Sequence, residues 1–236
     1  MMTELTLPII GYMHSSYKEK FGIPRQPNLV QVESYIEMSA PYNDVLAFEG
    51  IEAFSHLWLL WQFHDNKNPE KTQFRPQVRP PRLGGNKKIG VFATRSMYRP
   101  SPIGLSVVKL KCVKKEGRSV RVYVTGSDLL DGTPIVDIKP YIHYSDAVIN
   151  AESGYAQDEP KRKSVIWSDR AIEQKQQLLM SEKLSVQTAQ ELEAVLSLDP
   201  RPAYQDDEAR VYKMKFAAVD IAFTVGETTV NITAVE

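Results

Sequence analysis

The sequence predicts a mainly β protein, with an N-terminal β-barrel over residues 1–150 and a smaller α+β domain over 151–236. Three observations carry that expectation. Residues 5–141 hold roughly six to eight short apolar or alternating runs, broken by turn residues, with almost no helical periodicity. No strand-like run leads into Gly-x-Gly-x-x-Gly and a helix, which argues against a dinucleotide fold. Beyond residue 150 the pattern changes to two capped helical segments followed by three closely spaced strands.

The composition fits a folded domain with a core: 236 residues, 42% hydrophobic and 25% charged. The single cysteine, Cys112, excludes a disulfide framework and a cysteine zinc site. No apolar run approaches the roughly 18 residues of a membrane span, and the start lacks a basic region and a hydrophobic segment. A cytoplasmic protein without a membrane span or secretion signal is therefore expected. Formal net charge is zero, but it is unevenly spread. Residues 71–115 contain twelve basic side chains and no acidic one, leaving seventeen basic and twenty-nine acidic residues elsewhere. Such a block suits RNA or another polyphosphate, unless its charges point apart around the barrel.

Taken in order, residues 5–16 open with a β-rich run in which Pro8 suits a start or an edge. Residues 18–28 form a shaped loop, with Arg25 and Gln26 held between Pro24 and Pro27. Residues 30–38 alternate as a strand, and 41–48 fit a short helix ended near Gly50. The run 54–64, Phe-Ser-His-Leu-Trp-Leu-Leu-Trp-Gln-Phe-His, reads as a central strand. Its period places Ser55, Leu57, Leu59, Trp61 and Phe63 on one face, and Phe54, His56, Trp58, Leu60, Gln62 and His64 on the other. His56 and His64 do not make a metal site, because about 26 Å separates them along an extended strand. His64 and Asp65, at the strand end, are better placed for a ligand.

Residues 66–86 are a long, proline-punctuated connection carrying Arg75, Arg79 and Arg82, with Lys87 just beyond. Its Gly84-Gly85 pair lacks P-loop spacing. Next comes Ile-Gly-Val-Phe-Ala-Thr-Arg-Ser-Met-Tyr-Arg-Pro-Ser-Pro-Ile-Gly-Leu-Ser at 89–106. It begins as a strand, with Val91 and Ala93 on one face and Phe92 on the other. It then presents Arg95 and Arg99 on a segment stiffened by Pro100 and Pro102. Arginine is suited to bidentate capture of carboxylate or phosphate. Residues 105–113 and 119–125 are strands, 126–134 is a turn with Asp128 and Asp131, and 135–141 is a short last strand ending at Tyr141. The aspartates either cap their turn or accept from a ligand amine. Residues 145–163 read as a linker. A helix capped at Ser168-Asp169 runs to about 183, and Ser185 caps a second that ends at Pro200 and Pro202. Strands follow at 211–216, 219–225 and 229–234.

The 89–106 stretch resembles the signature of the TsaA-like, or TrmO, family, with Met97 and Ser101 where that signature prefers proline and asparagine. Lys-Phe-Gly-x-Pro-Arg-Gln ending at Gln26, Phe-Ser-His-x-Trp ending at Trp58, Asp-Leu-x-Asp-Gly-Thr-Pro from Asp128, and Asp-Pro-Arg-Pro-Ala-Tyr from Asp199 extend the resemblance over most of the chain. It implies a TsaA-like β-barrel that uses S-adenosyl-L-methionine to methylate N6 of threonylcarbamoyladenosine at position 37 of tRNA, in a homodimer with no metal. The cofactor residues it implies are Pro24, Arg25, Gln26, His64, Asp65, Arg95, Leu105, Asp128, Leu129, Leu130, Asp131 and Gly132. Tyr141 and His64 are the candidate catalytic helpers. Arg75, Arg79, Arg82, Lys87, Arg99 and Arg201 are the candidate RNA contacts, with the C-terminal domain assisting. The alternatives are a nonenzymatic RNA-binding module, which the basic block also permits, and a phosphate-ester hydrolase, against which the lack of paired metal-binding acids counts.

Overall fold

The computed structural model describes residues 5–65, 74–202, 205 and 207–236. The connection at 66–73, and Ala203 and Tyr204 of the Asp-Pro-Arg-Pro-Ala-Tyr motif, lie outside the described residues. The N-terminal strands are β1 (Gly11–His14), β2 (Glu33–Met38), β3 (His56–Gln62), β4 (Gln77–Val78), β5 (Ile89–Gly90), β6 (Ile103–Glu116), β7 (Ser119–Thr125) and β8 (Pro134–Pro140). Six of them close a barrel in the order β1-β2-β7-β6-β3-β8, with β8 returning to pair with β1. Every pairing in the barrel is antiparallel.

Alternation builds this barrel. Ile36 and Met38 of β2, Leu57, Leu59 and Trp61 of β3, and Val120, Val122 and Val124 of β7 point inward and are buried. The intervening positions, such as Tyr35 and Tyr123, form the outer face, where their rings pack 5.4 Å apart. The face division expected for residues 54–64 is therefore the observed one, over a strand that spans His56–Gln62.

Two local expectations change. The helix expected at 41–48 is a 3-10 turn at Val45–Phe48, capped by Asp44, whose side chain accepts from the Leu46 amide at 3.0 Å. The strand expected to continue through Val91 and Ala93 stops at Gly90, and Val91–Ala93 is a 3-10 turn. The Thr94 amide and hydroxyl both donate to the Val91 carbonyl, at 3.1 and 2.7 Å, and close that turn. It buries Val91 and leaves Phe92 75% exposed. Among the described residues β5 pairs only with β4, and no neighbouring strand opposes the turn.

After the short helix α1 (His143–Asp146), the C-terminal part contains β9 (Ser164–Trp167), α2 (Asp169–Met180), α3 (Val186–Leu196), β10 (Tyr212–Phe216), β11 (Val219–Val225) and β12 (Thr229–Val235). Ser168 and Ser185 cap the two longer helices by accepting from the Ala171 and Thr188 amides at 3.3 and 2.9 Å. α2 ends at Met180, three residues before the expected stop. Helix α3 buries Ala189, Leu192, Val195 and Leu196. The sheet order is β10-β11-β12-β9, with β9 parallel to β12. β9 was not foreseen, because four residues at the end of a polar stretch carry little periodic signal.

One feature of the packing positions the site. Tyr17, Val30 and Val32, which flank the proline loop, are buried in the C-terminal core with Phe216 and Phe223. Tyr17 bridges to Phe216, the Ala217 amide donates to the Ser16 carbonyl at 2.8 Å, and the Lys215 amide donates to Glu19 at 2.9 Å. The loop at 18–28 is thus held from both sides, by the barrel and by the C-terminal sheet.

Candidate functional site

A cavity of about 700 Å³ opens where β3 ends and β6 begins, a size typical of small-molecule sites. The inward residues Trp61, Gly104 and Ser106 and the outward residues Trp58 and Leu105 contribute to its wall. Phe63, His64 and Asp65 continue the wall beyond β3. Three separate segments complete it: Lys20 and residues 23–28, then Arg95, Met97 and Arg99, then Asp128, Leu130 and Thr133. Ten sequence-predicted residues therefore meet here: Pro24, Arg25, Gln26, His64, Asp65, Arg95, Arg99, Leu105, Asp128 and Leu130.

The other candidates sit elsewhere. Leu129 is 1% exposed, in the barrel core. Asp131 ties its turn to the segment after β1: one carboxylate oxygen accepts from the Ser15 amide at 2.9 Å and the other pairs with Lys18 at 2.9 Å. Gly132 adopts φ +79° in that turn, where an L side chain would be strained, and its amide donates to Met13 at 2.7 Å. Tyr141 packs behind the wall, with ring centroids 5.8 Å from Trp58 and 6.3 Å from His56. Arg75, Arg79, Arg82 and Lys87 are exposed on and around the β4–β5 ribbon, and Arg75 lies 4.8 Å over the Tyr98 ring. Arg201 is 7% exposed and spends its guanidinium on Asp199, with two bonds of 2.9 Å, so it does not present a free charge to solvent. It lines a smaller adjacent cavity of about 430 Å³ that shares Ile23, Pro24 and Arg25 with the first.

Sequence reasoning missed Lys20, Asn28, Trp61, Phe63 and Ser106 as wall residues. The strand period marked Trp61 and Phe63 as inward, but not that the barrel end leaves them beside a cavity. Ser106 carried a usable signal: it is a polar residue alternating with Gly104, Val108 and Leu110 on an inward face, and buried hydroxyls need partners.

The wall carries four cations, Lys20, Arg25, Arg95 and Arg99, against two carboxylates, Asp65 and Asp128, with His64 beside them. Lys20 pairs with Asp65 at 3.4 Å. Arg95 donates to the Gln26 side chain, linking two of the three segments. Arg25 donates to the Arg201 carbonyl at 3.1 Å, and Arg99 to the Thr94 carbonyl at 2.7 Å. Among the described residues the buried Nε of Arg99 has no hydrogen-bond partner. Trp58 is fixed by its indole N–H, which donates to Asp146 at 2.9 Å. Trp61 lies flat on Gly104, where a Cβ would come within 2.2 Å of the ring. Burial pushes the Asp128 carboxyl above the usual carboxylate range, while a hydrogen bond from Ser106 and the charge of Arg95 pull it back. Aromatic faces, a carboxylate and several guanidinium groups in one cavity can hold a zwitterionic nucleoside-like molecule. Among the described residues no group of three or more His, Cys, Asp or Glu side chains could hold a metal ion.

The tRNA-methyltransferase O N-terminal domain family matches residues 12–147, and the TrmO C-terminal domain family matches 160–236. The chain belongs to the TrmO family. The tRNA (adenine(37)-N6)-methyltransferase of Escherichia coli (strain K12) is 45% identical over 208 residues, which cover 88% of this chain and 86% of that protein. A putative S-adenosylmethionine-dependent methyltransferase RcsF of Pseudomonas aeruginosa is 43% identical over 222 residues, covering 93% of this chain and 92% of the relative. The crystal structure of TrmO from Pseudomonas aeruginosa superposes with a TM-score of 0.78 at 34% identity, covering 100% of this chain and 99% of that one. Among the described residues no helix of this TrmO-family chain is long and apolar enough to cross a membrane.

Proposed function

We propose that this chain is an S-adenosylmethionine-dependent methyltransferase acting on N6 of adenosine 37 in tRNA, and that its substrate adenosine carries an N6-threonylcarbamoyl group. The observation that carries the reading is the cavity itself. It gathers Pro24–Gln26, Arg95 and Asp128, distant in sequence, in a chain whose full-length relatives bear that activity in their names. S-adenosylmethionine, when bound, supplies a methyl group on a sulfonium centre. The protein's own contribution is position and dryness. Trp58, Trp61 and Phe63 provide apolar faces, and Arg25, Arg95 and Arg99 provide forks for a carboxylate.

Both the cofactor's methionyl end and a threonylcarbamoyl group carry such a carboxylate, so several arginines at one cavity fit the pair. An N6 nitrogen bearing a carbamoyl group is more acidic than a simple exocyclic amine, so its proton leaves with modest help. His64 on the wall is the polar helper in this reading, and Tyr141 acts only through its packing on Trp58. The exposed arginines and lysines at 75–88 hold the tRNA backbone, the C-terminal domain assists, and the active form is a homodimer in the cytoplasm.

The test is incubation of the purified protein with labelled methyl donor and total tRNA from a strain lacking this gene, followed by nucleoside mass spectrometry. Label in N6-methyl-N6-threonylcarbamoyladenosine is the expected result. Label in N6-methyladenosine, the product from adenosine without the threonylcarbamoyl group, overturns the substrate assignment. RNA binding without any label favours a nonenzymatic binder.

A further inference from the structure

We propose that Phe92 is a stacking platform for an unpaired RNA base, that of a nucleotide flanking the target adenosine, with Phe74 at its edge. The proposal rests on the tRNA reading above and adds to it a contact made with a base face rather than a phosphate. Two large aromatic side chains stand in solvent on the ribbon. Phe92 is 75% exposed and Phe74 51%, with ring centroids 6.2 Å apart and planes tilted by 30°. Leaving rings of this size in water forgoes the gain of burying them.

The backbone holds Phe92 out. Val91 is 1% exposed, and its amide donates to the Pro76 carbonyl at 3.0 Å. The Thr94 amide closes onto the Val91 carbonyl at 3.1 Å, and the Ala93 carbonyl accepts from the Tyr155 hydroxyl at 3.4 Å. With about three residues per turn, a buried Val91 directs its neighbour away from the core. The residues on both sides of Phe92 are therefore tied down, and the exposure of its ring is built in.

The surroundings select the occupant. The segment 71–115 carries twelve basic residues and no acidic one. Arg75, next to Phe74, is exposed and places its guanidinium 4.8 Å over the Tyr98 ring, while its amide donates to the Tyr98 carbonyl at 3.4 Å. Arg79, Arg82, Lys87 and Lys88 are exposed nearby in the chain. Aromatic faces interleaved with cations match a base set between its phosphates. A second copy of this chain would bring the same charge to the same place, which opposes self-association through this face.

The position fits the reaction. Arg95, three residues beyond Phe92, is on the cavity wall, so at most about 11 Å of extended chain separates the platform from the cavity rim. A base whose N6 must meet a methyl donor inside a cavity leaves its stack. Its departure bares a face of the adjacent base, and Phe92 covers that face.

The experiment measures binding of the intact protein to tRNA from a strain lacking this gene, across salt concentration. Phe92→Ala should weaken binding roughly five- to a hundredfold. The slope of affinity against salt should stay at the parent value, because stacking releases no counterions. Phe92→Trp should bind like the parent, and Phe92→Leu should lose affinity as the alanine variant does, since it keeps apolar bulk without a ring. Cofactor affinity and thermal midpoint should not move in any of the three. A second readout uses an anticodon stem-loop RNA carrying 2-aminopurine, whose emission is quenched by stacking, on either side of adenosine 37. At saturation one of the two flanking positions should be brighter in the Phe92→Leu complex than in the parent complex, and a position in the paired stem should not differ.

A parent that binds tRNA and a Phe92→Ala variant that binds it equally well overturn the platform alone. So does full binding by Phe92→Leu, which makes the ring a staple of the ribbon, or equal emission at both flanking positions. A loss of affinity that comes with a changed sedimentation mass assigns the face to a second copy and also overturns it. A parent that binds no tRNA overturns the tRNA reading and the platform together.

Discussion

The turn at 126–134 lines the cavity through Asp128, Leu130 and Thr133, while the ribbon carrying β4 and β5 lies outside it and reaches it only through the segment that follows, at Arg95, and the two are built in opposite ways. The turn is pinned at several points. Asp131 holds Ser15 and Lys18, the Gly132 amide holds Met13, Ser15 donates to Leu129 at 2.9 Å, and Leu129 fills the barrel core. The ribbon has two short strands, exposed arginines, and aromatic side chains in the open, with Phe74 51% and Phe92 75% exposed. A site for a small molecule gains from parts fixed in advance, because ordering them on binding costs affinity. A surface that meets a polyanion gains from exposed charge and needs little geometry. The difference teaches where each kind of recognition resides: the cofactor on the rigid side, the RNA backbone on the ribbon.

The largest effect should come from breaking the rigid side. Gly104→Val places carbon atoms where the Trp61 ring lies, since even a Cβ would sit 2.2 Å from it. The indole has to move, with an overpacking cost of about 1–3 kcal/mol and loss of cofactor binding, read by denaturant unfolding and calorimetry. Next comes Arg201→Ala. Asp199 is half-buried and keeps Lys163 at 3.4 Å, so losing the charge-assisted bonds of Arg201 should destabilise the fold by about 1.5–3 kcal/mol, and a thermal melt should show it at every salt concentration. If Arg201 were instead an RNA contact, stability would hold and only the salt dependence of tRNA binding would change.

Arg95→Ala probes the side chain that joins two segments of the wall. A charge-assisted contact made in the transition state is worth about 1.5–3 kcal/mol, or roughly ten- to a hundredfold in single-turnover methylation. An unchanged rate at saturating substrates removes Arg95 from the chemical step. On the ribbon, joint replacement of Arg75, Arg79 and Arg82 by alanine should lower tRNA affinity and flatten its salt dependence by about 0.9 in slope for each lost phosphate contact. Cofactor affinity should stay at the parent value. If it falls as well, the two regions are one unit and the contrast drawn above fails.

Much of the fold was legible in the sequence because alternation and capping are local. The inward set of residues 54–64, the strand at 119–125 and the serine caps at 168 and 185 all stand where periodicity put them. What was not legible depends on distant partners. The end of β5 is decided by Thr94 closing on Val91, with no opposing strand among the described residues. The burial of Tyr17 is decided by Phe216, about two hundred positions away in the chain. The motif Asp-Pro-Arg marked Arg201 as notable, but only the fold shows its guanidinium turned onto Asp199. Ser106 was passed over for the same reason, since its partners come from β3 and from the turn after β7.

The central claim is that the cavity joining Pro24–Gln26, Arg95–Arg99 and Asp128–Leu130 is a preformed S-adenosylmethionine site that works without RNA. Calorimetric titration of the nucleic-acid-free protein with S-adenosylmethionine tests it most directly. The account predicts saturable binding with one cofactor per chain, undiminished by the Arg75, Arg79 and Arg82 replacements and weakened by Arg95→Ala. Absence of binding at millimolar cofactor, or binding that appears only once tRNA is added, would contradict it.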